Sequence, residues 1–149
     1  MDQQYWLVAR DKPGLLIALM RALAEDAHIS FEGDLSRCRE LFAFPGASTQ
    51  ETEVLRRNTL YAVQDFVVLP LESDGIRAIL DAVLPEGRVV HDIVHVQIER
   101  AGRLEFGAYD NFHRECIGCS GRIPRELLER LRVNGVLRSY KPAPPQAKR

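Results

Sequence analysis

The segment from His113 to Cys119 carries the residue types best suited to chemistry. It holds Cys116 and Cys119 in a Cys-x-x-Cys pattern, with His113 three residues before the first cysteine. Such a pair, with a glycine in its turn, suits two tetrahedral zinc thiolates, and Cys38 could supply a further ligand. A second cysteine pair, which would make the pattern specific, does not occur in the sequence. The favoured interpretation is an irregular loop of small residues, and a zinc site at His113, Cys116 and Cys119 is the alternative.

Two other chemistries use the same residues. A redox pair needs its first cysteine at a helix N-terminus, where the helix dipole lowers the thiol pKa, but the predicted helix begins about five residues after Cys119. Nucleophilic catalysis by Cys116 with His113 needs a shaped site and oxyanion donors as well. The sequence contains no phosphate-binding glycine loop, no dinucleotide fingerprint and no nucleophile elbow. We therefore expect neither an enzyme nor a bound cofactor.

Alternating two-residue and three-to-four-residue hydrophobic periods predict strands and helices in one mixed domain. The helices begin at plausible caps, such as Asp11 before Pro13-Gly14 and Ser73 before the second apolar face. The strand that starts at His28 has a polar outer face. The pattern predicts strands over 5–10, 28–35, 59–71, 88–99 and 104–108, and helices over 13–27, 73–83 and 124–133.

Two stretches lack a clear period. Residues 41–58 contain Pro45-Gly46 and are predicted to form a long loop, with a helical turn near 51–56. A connection of this length is often functional. Residues 141–149 are rich in proline and are predicted to be a disordered tail. The prediction is thus one domain over 1–140, made of a core at 5–99 and a strand-helix extension at 100–140.

The order β-α-β-β-α-β is that of the ferredoxin-like α+β fold, an antiparallel sheet with both helices on one face. The other face is expected to stay open. A hairpin at Ala101-Gly102 adds a fifth strand beside the fourth and gives the strand order 5-4-1-3-2.

Two histidines lie four residues apart in the predicted fourth strand. His91 and His95 are about 13 Å apart on a strand, too far to hold one ion. The predicted strand order also places them about 14 Å from Glu32 and Asp34. We therefore expect exposed polar residues here, and no acid–base pair.

The residues YWLVARDKPGLLIALMRALAEDAHISFEGDLS resemble the opening of an ACT domain: a strand, an Asp-x-Pro-Gly-Leu-Leu turn, an amphipathic helix and a second strand. The resemblance covers about residues 5–99. It implies an amino-acid effector site at the turn, often between two copies of the chain. The positions that carry this expectation are Asp11, Pro13, Gly14 and Leu15, and the implied function is an amino-acid-sensing regulatory protein, as a homodimer.

Charge is distributed unevenly along the 149 residues, although the net formal charge is only −1. Residues 1–121 hold 12 basic and 19 acidic side chains, a balance of −7, and residues 122–149 hold 8 and 2, a balance of +6. The total gives no general reason to bind nucleic acid or a membrane. The N-terminus lacks the pattern of a signal peptide, and three cysteines form no disulfide framework. We expect a cytoplasmic protein.

Without a catalytic constellation, the function is expected to come from surfaces. The acidic body, the long loop and the open sheet face favour a protein-binding inhibitor, similar in these general respects to small bacterial immunity proteins that neutralise toxins. A basic partner would associate faster with an acidic surface. The residues predicted to meet this partner are Glu32, Asp34, Glu51 and Glu53. The alternatives are the amino-acid sensor and a small zinc-binding protein.

Overall fold

The structure, a computed structural model, describes residues 4–89 and 91–143. In this part of the chain, seven antiparallel strands form one open sheet. The strands lie in the order β3-β2-β4-β5-β6-β1-β7. This is the α+β class with an antiparallel sheet that the sequence predicts. The bounds are β1 Gln4–Ala9, β2 Ala27–Gly33, β3 Asp65–Leu71, β4 Ile93–Arg100, β5 Arg103–Ala108, β6 Ile117–Ser120 and β7 Leu137–Pro142.

The helices bury their apolar sides in one core cluster with one face of the sheet. They are α1 Lys12–Leu23, α2 Ile76–Val83 and α3 Arg125–Val133, and a 3₁₀ segment spans Ser36–Ala43. The leucines of α1 recur at helical spacing and are fully buried, which explains why this segment folds as a helix on the sheet. Among the described residues, no helix is both long and apolar enough to cross a membrane.

The predicted ferredoxin-like strand order is wrong. That order places β1 in the middle of the sheet, whereas the structure places β1 between β6 and β7. The C-terminal segment supplies both of these partners, so it completes the sheet and is not an extension beside it. β2 in turn pairs directly with β3 and β4. The pairing of β4 with β5 across the Ala101-Gly102 turn agrees with the predicted hairpin.

Several element bounds differ from their predictions. The strand predicted from residue 59 begins only at Asp65, and the one predicted from residue 88 begins at Ile93. Helix α1 ends at Leu23, because Glu25 and Asp26 take the positive φ of a turn. Residues 51–56 do not form the predicted helical turn. Residues 141 and 142 of the predicted tail belong to β7, and residues 144–149 lie outside the described residues.

Both outer strands carry features that oppose pairing with another chain. On β3, the backbone of Val68 already exchanges two hydrogen bonds with Ser48 of the preceding loop. On β7, the register shifts opposite the Val8/Ala9 step, and the strand ends at Pro142. Bulges, prolines and covered edges are common means of preventing edge-to-edge association.

A fold prediction concerns Gly33 at the end of β2. Its φ is +150°, and a Cβ built there would lie 2.1 Å from the carbonyl oxygen of Asp92. We expect Gly33→Ala to lower the free energy of unfolding by about 3 kcal/mol, because backbone would have to move. The matched control is Gly75→Ala, since no atom lies within 4 Å of a Cβ at that position. Urea denaturation measures both, and equal stabilities would contradict the tight β2–β4 contact.

Candidate protein-binding surface

Three polar cross-strand pairs line the sheet face opposite the helices. In the register of β2 and β4, His28 faces Glu99, Ser30 faces Gln97 and Glu32 faces His95. We call these six residues the polar ladder. Five of them are buried, all except His28. A buried polar group is unfavourable unless it is hydrogen-bonded. On an open sheet face water would supply these hydrogen bonds, so here protein groups must supply them.

Two pairs of the ladder bond directly across the strands. His28 Nδ1 lies 2.7 Å from Glu99 Oε1, and Gln97 Nε2 donates to Ser30 Oγ at 3.3 Å. The other Glu99 oxygen accepts the backbone N–H of Gly102 in the β4–β5 turn, at 3.0 Å. Gln97 Oε1 accepts the hydroxyl of Tyr109 at 3.2 Å. Burial raises the pKa of Tyr109, which keeps this hydroxyl a donor at neutral pH.

The third pair binds the long loop, residues 44–64, which we call the covering loop. Glu32 accepts the backbone N–H of Asn58 at 2.8 Å with one oxygen and that of Thr59 at 3.1 Å with the other. The carboxylate is only 1% exposed. One rung further along, Gln97 Nε2 donates to the carbonyl of Arg56 at 2.8 Å. The loop backbone therefore supplies the partners that the ladder needs.

His95 bonds on both ring nitrogens. Its Nδ1 accepts the backbone N–H of Asp110 at 3.3 Å, and its Nε2 lies 2.8 Å from Thr59 Oγ1. Because Nδ1 is the acceptor, the neutral ring carries its proton on Nε2 and donates it to the threonine oxygen. In this arrangement the ring cannot take a proton from Thr59, so the contact positions the loop and does not activate a nucleophile.

Apolar contacts fix the rest of the loop on the same face. Leu55 is fully buried and forms a small cluster with Phe66 and Val68 of β3. The guanidinium of Arg57 lies 5.0 Å from the ring centre of Phe66, and its Nη1 is buried without a hydrogen-bond partner. A cation–π contact of this kind offsets part of the missing hydrogen bond.

The covering loop presents an exposed apolar turn, residues 60–63, directly after its anchored segment. Leu60, Tyr61 and Val63 are 78, 96 and 72% exposed. Thr59, the preceding residue, is held by both Glu32 and His95. Large apolar side chains therefore protrude from a point that buried hydrogen bonds hold in place. The sequence pattern assigned these residues to a strand, because Leu-Tyr-Ala-Val is rich in strand formers.

Of the four carboxylates predicted to contact a partner, one is buried and three are exposed. Glu32 is buried under the loop, so the expectation that it faces a partner on an open sheet is wrong. Asp34, Glu51 and Glu53 are exposed. The Ser36 N–H holds the pKa of Asp34 below its usual value, and the Arg57 N–H does the same for the pKa of Glu51. Both carboxylates therefore stay ionised at neutral pH.

Glu32 and His95 are neighbours, contrary to the predicted separation of about 14 Å between their strands. That expectation followed from the wrong strand order, because β2 and β4 pair directly. The repeated polar alternation at 28, 30 and 32 and at 95, 97 and 99 was the available signal. Two strands with matching polar faces are natural partners, since pairing satisfies both.

Each of the four residues that carry the ACT resemblance at the turn has a structural role at the start of α1. Asp11 caps α1 by accepting the N–H of Gly14 at 2.9 Å, and a Cβ at Gly14 would lie 2.4 Å from that carboxylate. Pro13 occupies the first turn of the helix, and Leu15 is fully buried. An amino-acid site at this turn stays a prediction.

The structure brings His113 and Cys116 close together, but Cys119 lies apart from them. Cys116 Sγ lies 4.0 Å from His113 Nδ1 and 3.7 Å from Asp110 Oδ2, whereas Cys119 is buried in the core cluster. Burial raises the pKa of Cys119 to about 12, and partial burial and Asp110 raise that of Cys116. Both surroundings favour the thiol over the thiolate that zinc binding needs. Among the described residues, no three such ligands are placed to hold one ion.

A prediction tests the anchor of the loop. Glu32→Gln replaces two acceptor oxygens with one, so one loop N–H loses its partner in a buried site. We expect the free energy of unfolding to fall by roughly 2 kcal/mol in urea denaturation. Trypsin should also cleave faster after Arg56 and Arg57. The matched control is the exposed Glu53→Gln, and equal stability and cleavage of the two variants would contradict the anchor.

Comparison with known proteins gives no relative from which to transfer a function. No family model matches the chain, and the searches of curated proteins and of solved structures give no match either. What the chain binds is therefore inferred from its own side chains.

Proposed function

We propose that the chain is a non-enzymatic binding protein. It binds a protein partner through the exposed apolar turn and thereby inhibits that partner. The observation that carries this proposal is the contrast between the turn and its base. Leu60, Tyr61 and Val63 are largely exposed, while the backbone of Thr59 beside them is bonded to the buried Glu32.

Exposed apolar side chains that stand together in space are typical of interaction sites. Tyrosine is among the residues that most often dominate binding energy, because it buries a large area with few rotatable bonds. A turn that is already held in place loses little conformational freedom when a partner closes on it. The anchored base of the turn therefore favours tight binding.

The charge of residues 1–121 as a whole favours a basic partner, because their balance is −7. The covering loop itself is neutral: Arg56 and Arg57 offset Glu51 and Glu53, and Glu51 Oε2 lies 2.9 Å from Arg56 Nε. A net negative charge on the rest of the body accelerates association with a basic protein and disfavours acidic ones. A basic toxin, such as a nuclease, fits this chemistry, and the chain would then act as its immunity protein.

Binding accounts for the polar ladder better than catalysis does. Glu32 bonds to two backbone N–H groups, and His95 bonds to Asp110 and Thr59. The Glu32 carboxylate and the His95 ring, which could serve as acid or base in a reaction, are thus used in hydrogen bonds that hold the loop. This use supports a role in shaping a contact surface.

The proposal predicts a loss of partner binding when the turn loses its apolar groups. The parent chain is first used to capture its basic partner from the native cell. The double variant Leu60→Ser, Tyr61→Ala should bind this partner with an affinity reduced about 100-fold or more. The matched control is Val133→Ser, since Val133 on α3 is also exposed, at 68%. Affinity is measured by surface plasmon resonance with the captured partner.

The melting temperatures of both variants should stay close to that of the parent, because the substituted side chains are exposed. The pure parent chain should also suppress the partner's activity at stoichiometric amounts. Equal partner affinity of the double variant and the Val133→Ser control would overturn the role of the turn. A partner whose activity is unchanged by the chain would overturn inhibition.

A further inference from the structure

Three arginines line one cavity at the end of the sheet remote from the ladder's Glu32–His95 pair. The cavity has a volume of about 350 Å³ and lies between the β4–β5 hairpin, the end of α1 and the start of α3. Arg100 comes from β4, Arg103 from β5 and Arg122 from the segment before α3. Its size falls at the lower end of the range for small-molecule sites.

One of the three arginines, Arg122, is held by a buried hydrogen-bond network. Arg122 Nε donates to Glu105 Oε1 at 2.7 Å, and the second Glu105 oxygen accepts the hydroxyl of Ser120 at 3.2 Å. Glu105 and Ser120 are both buried. The guanidinium therefore has a defined orientation at the cavity wall before any ligand arrives.

The other two arginines repel each other. Arg100 and Arg103 are directly opposite in the β4–β5 register, flanking the Ala101-Gly102 turn. Like charges in this position destabilise a strand pair. Within the described part of the chain, neither has a carboxylate within ion-pair distance. The hairpin therefore holds two positive charges side by side without a compensating acid.

The charge of the described residues that line the cavity is positive. Glu105 is paired with Arg122, so the excess positive charge comes from Arg100 and Arg103. The end of α1 at Leu23 contributes partial negative charge, and the start of α3 after Pro124 contributes partial positive charge. Because these two helix ends offset each other, the arginines set the sign.

We propose that this cavity binds the phosphate group of a small molecule or free phosphate. A dianionic phosphate matches the net charge of the site, and guanidinium groups bind its oxygens in a bidentate manner. It would also relieve the repulsion between Arg100 and Arg103. The proposed protein-binding role depends on the covering loop, so either proposal can fail without the other.

Isothermal titration calorimetry at constant ionic strength tests the site with inorganic phosphate on the full chain. We expect saturable binding by the parent, weakened about tenfold or more in Arg103→Gln, because a charge-assisted hydrogen bond is lost. The matched control is Arg88→Gln, since Arg88 is exposed and lies outside the cavity. This variant should bind phosphate like the parent.

A second titration with glycerol phosphate distinguishes the two sources of the phosphate group. Tighter binding of the monoester supports a phosphorylated small molecule, and equal binding supports the free ion. Absence of saturable binding of both by the parent would overturn the proposal. An equal loss of affinity in Arg88→Gln and Arg103→Gln would also overturn it, because the effect would then be one of overall charge. Melting temperatures without phosphate confirm that each variant is folded.

Discussion

A buried carboxylate is stable only when hydrogen-bond donors surround it, and this requirement organises one whole side of the molecule. Glu32 lies in β2, next to the edge strand β3, and takes its donors from the backbone of Asn58 and Thr59. The sheet thus depends on the covering loop to satisfy its polar face, and the loop depends on the sheet for its position. The helices cover the opposite face chiefly through apolar packing, which is less directional than hydrogen bonding.

The buried polar residues of the ladder thereby fix the position of the covering loop. Hydrogen bonds are directional, so the ladder accepts the loop in one register, whereas apolar contacts such as that of Leu55 tolerate small shifts. The turn that follows Thr59 is therefore held at a defined point while its apolar side chains remain exposed. Exposure of this kind is unfavourable for a free protein, and a partner that buries these side chains recovers the free energy. The same logic applies to Arg100 and Arg103, whose repulsion an anion would relieve.

The local elements could be predicted from the sequence, but their arrangement could not. Helical spacing of leucines found α1 and α3, and the Asp11 cap and the Ala101-Gly102 turn are where their residue types indicate. Two strands were missed, β6 because it is only four residues long and β7 because its sequence is mostly polar and ends in proline. Without them β1 has no outer partners, and the ferredoxin-like fold inferred from the element order places it in the middle of the sheet. The burial of Glu32 could not be predicted for a different reason: the covering loop binds it through residues 26 and 27 positions further along the chain, and such a contact has no local sequence signal.

The central claim is that the loop backbone at Asn58 and Thr59 is bonded to the buried Glu32 carboxylate in the native protein. Amide hydrogen exchange, followed residue by residue by NMR, measures this directly in the unmodified chain. The account predicts that these two amides exchange at least about 1,000-fold more slowly than unstructured amides, since exchange requires the loop to open. The amide of Tyr61, two residues further on, should exchange much faster. Equally fast exchange at all three positions would show that the ladder does not hold the loop, and the account would be wrong.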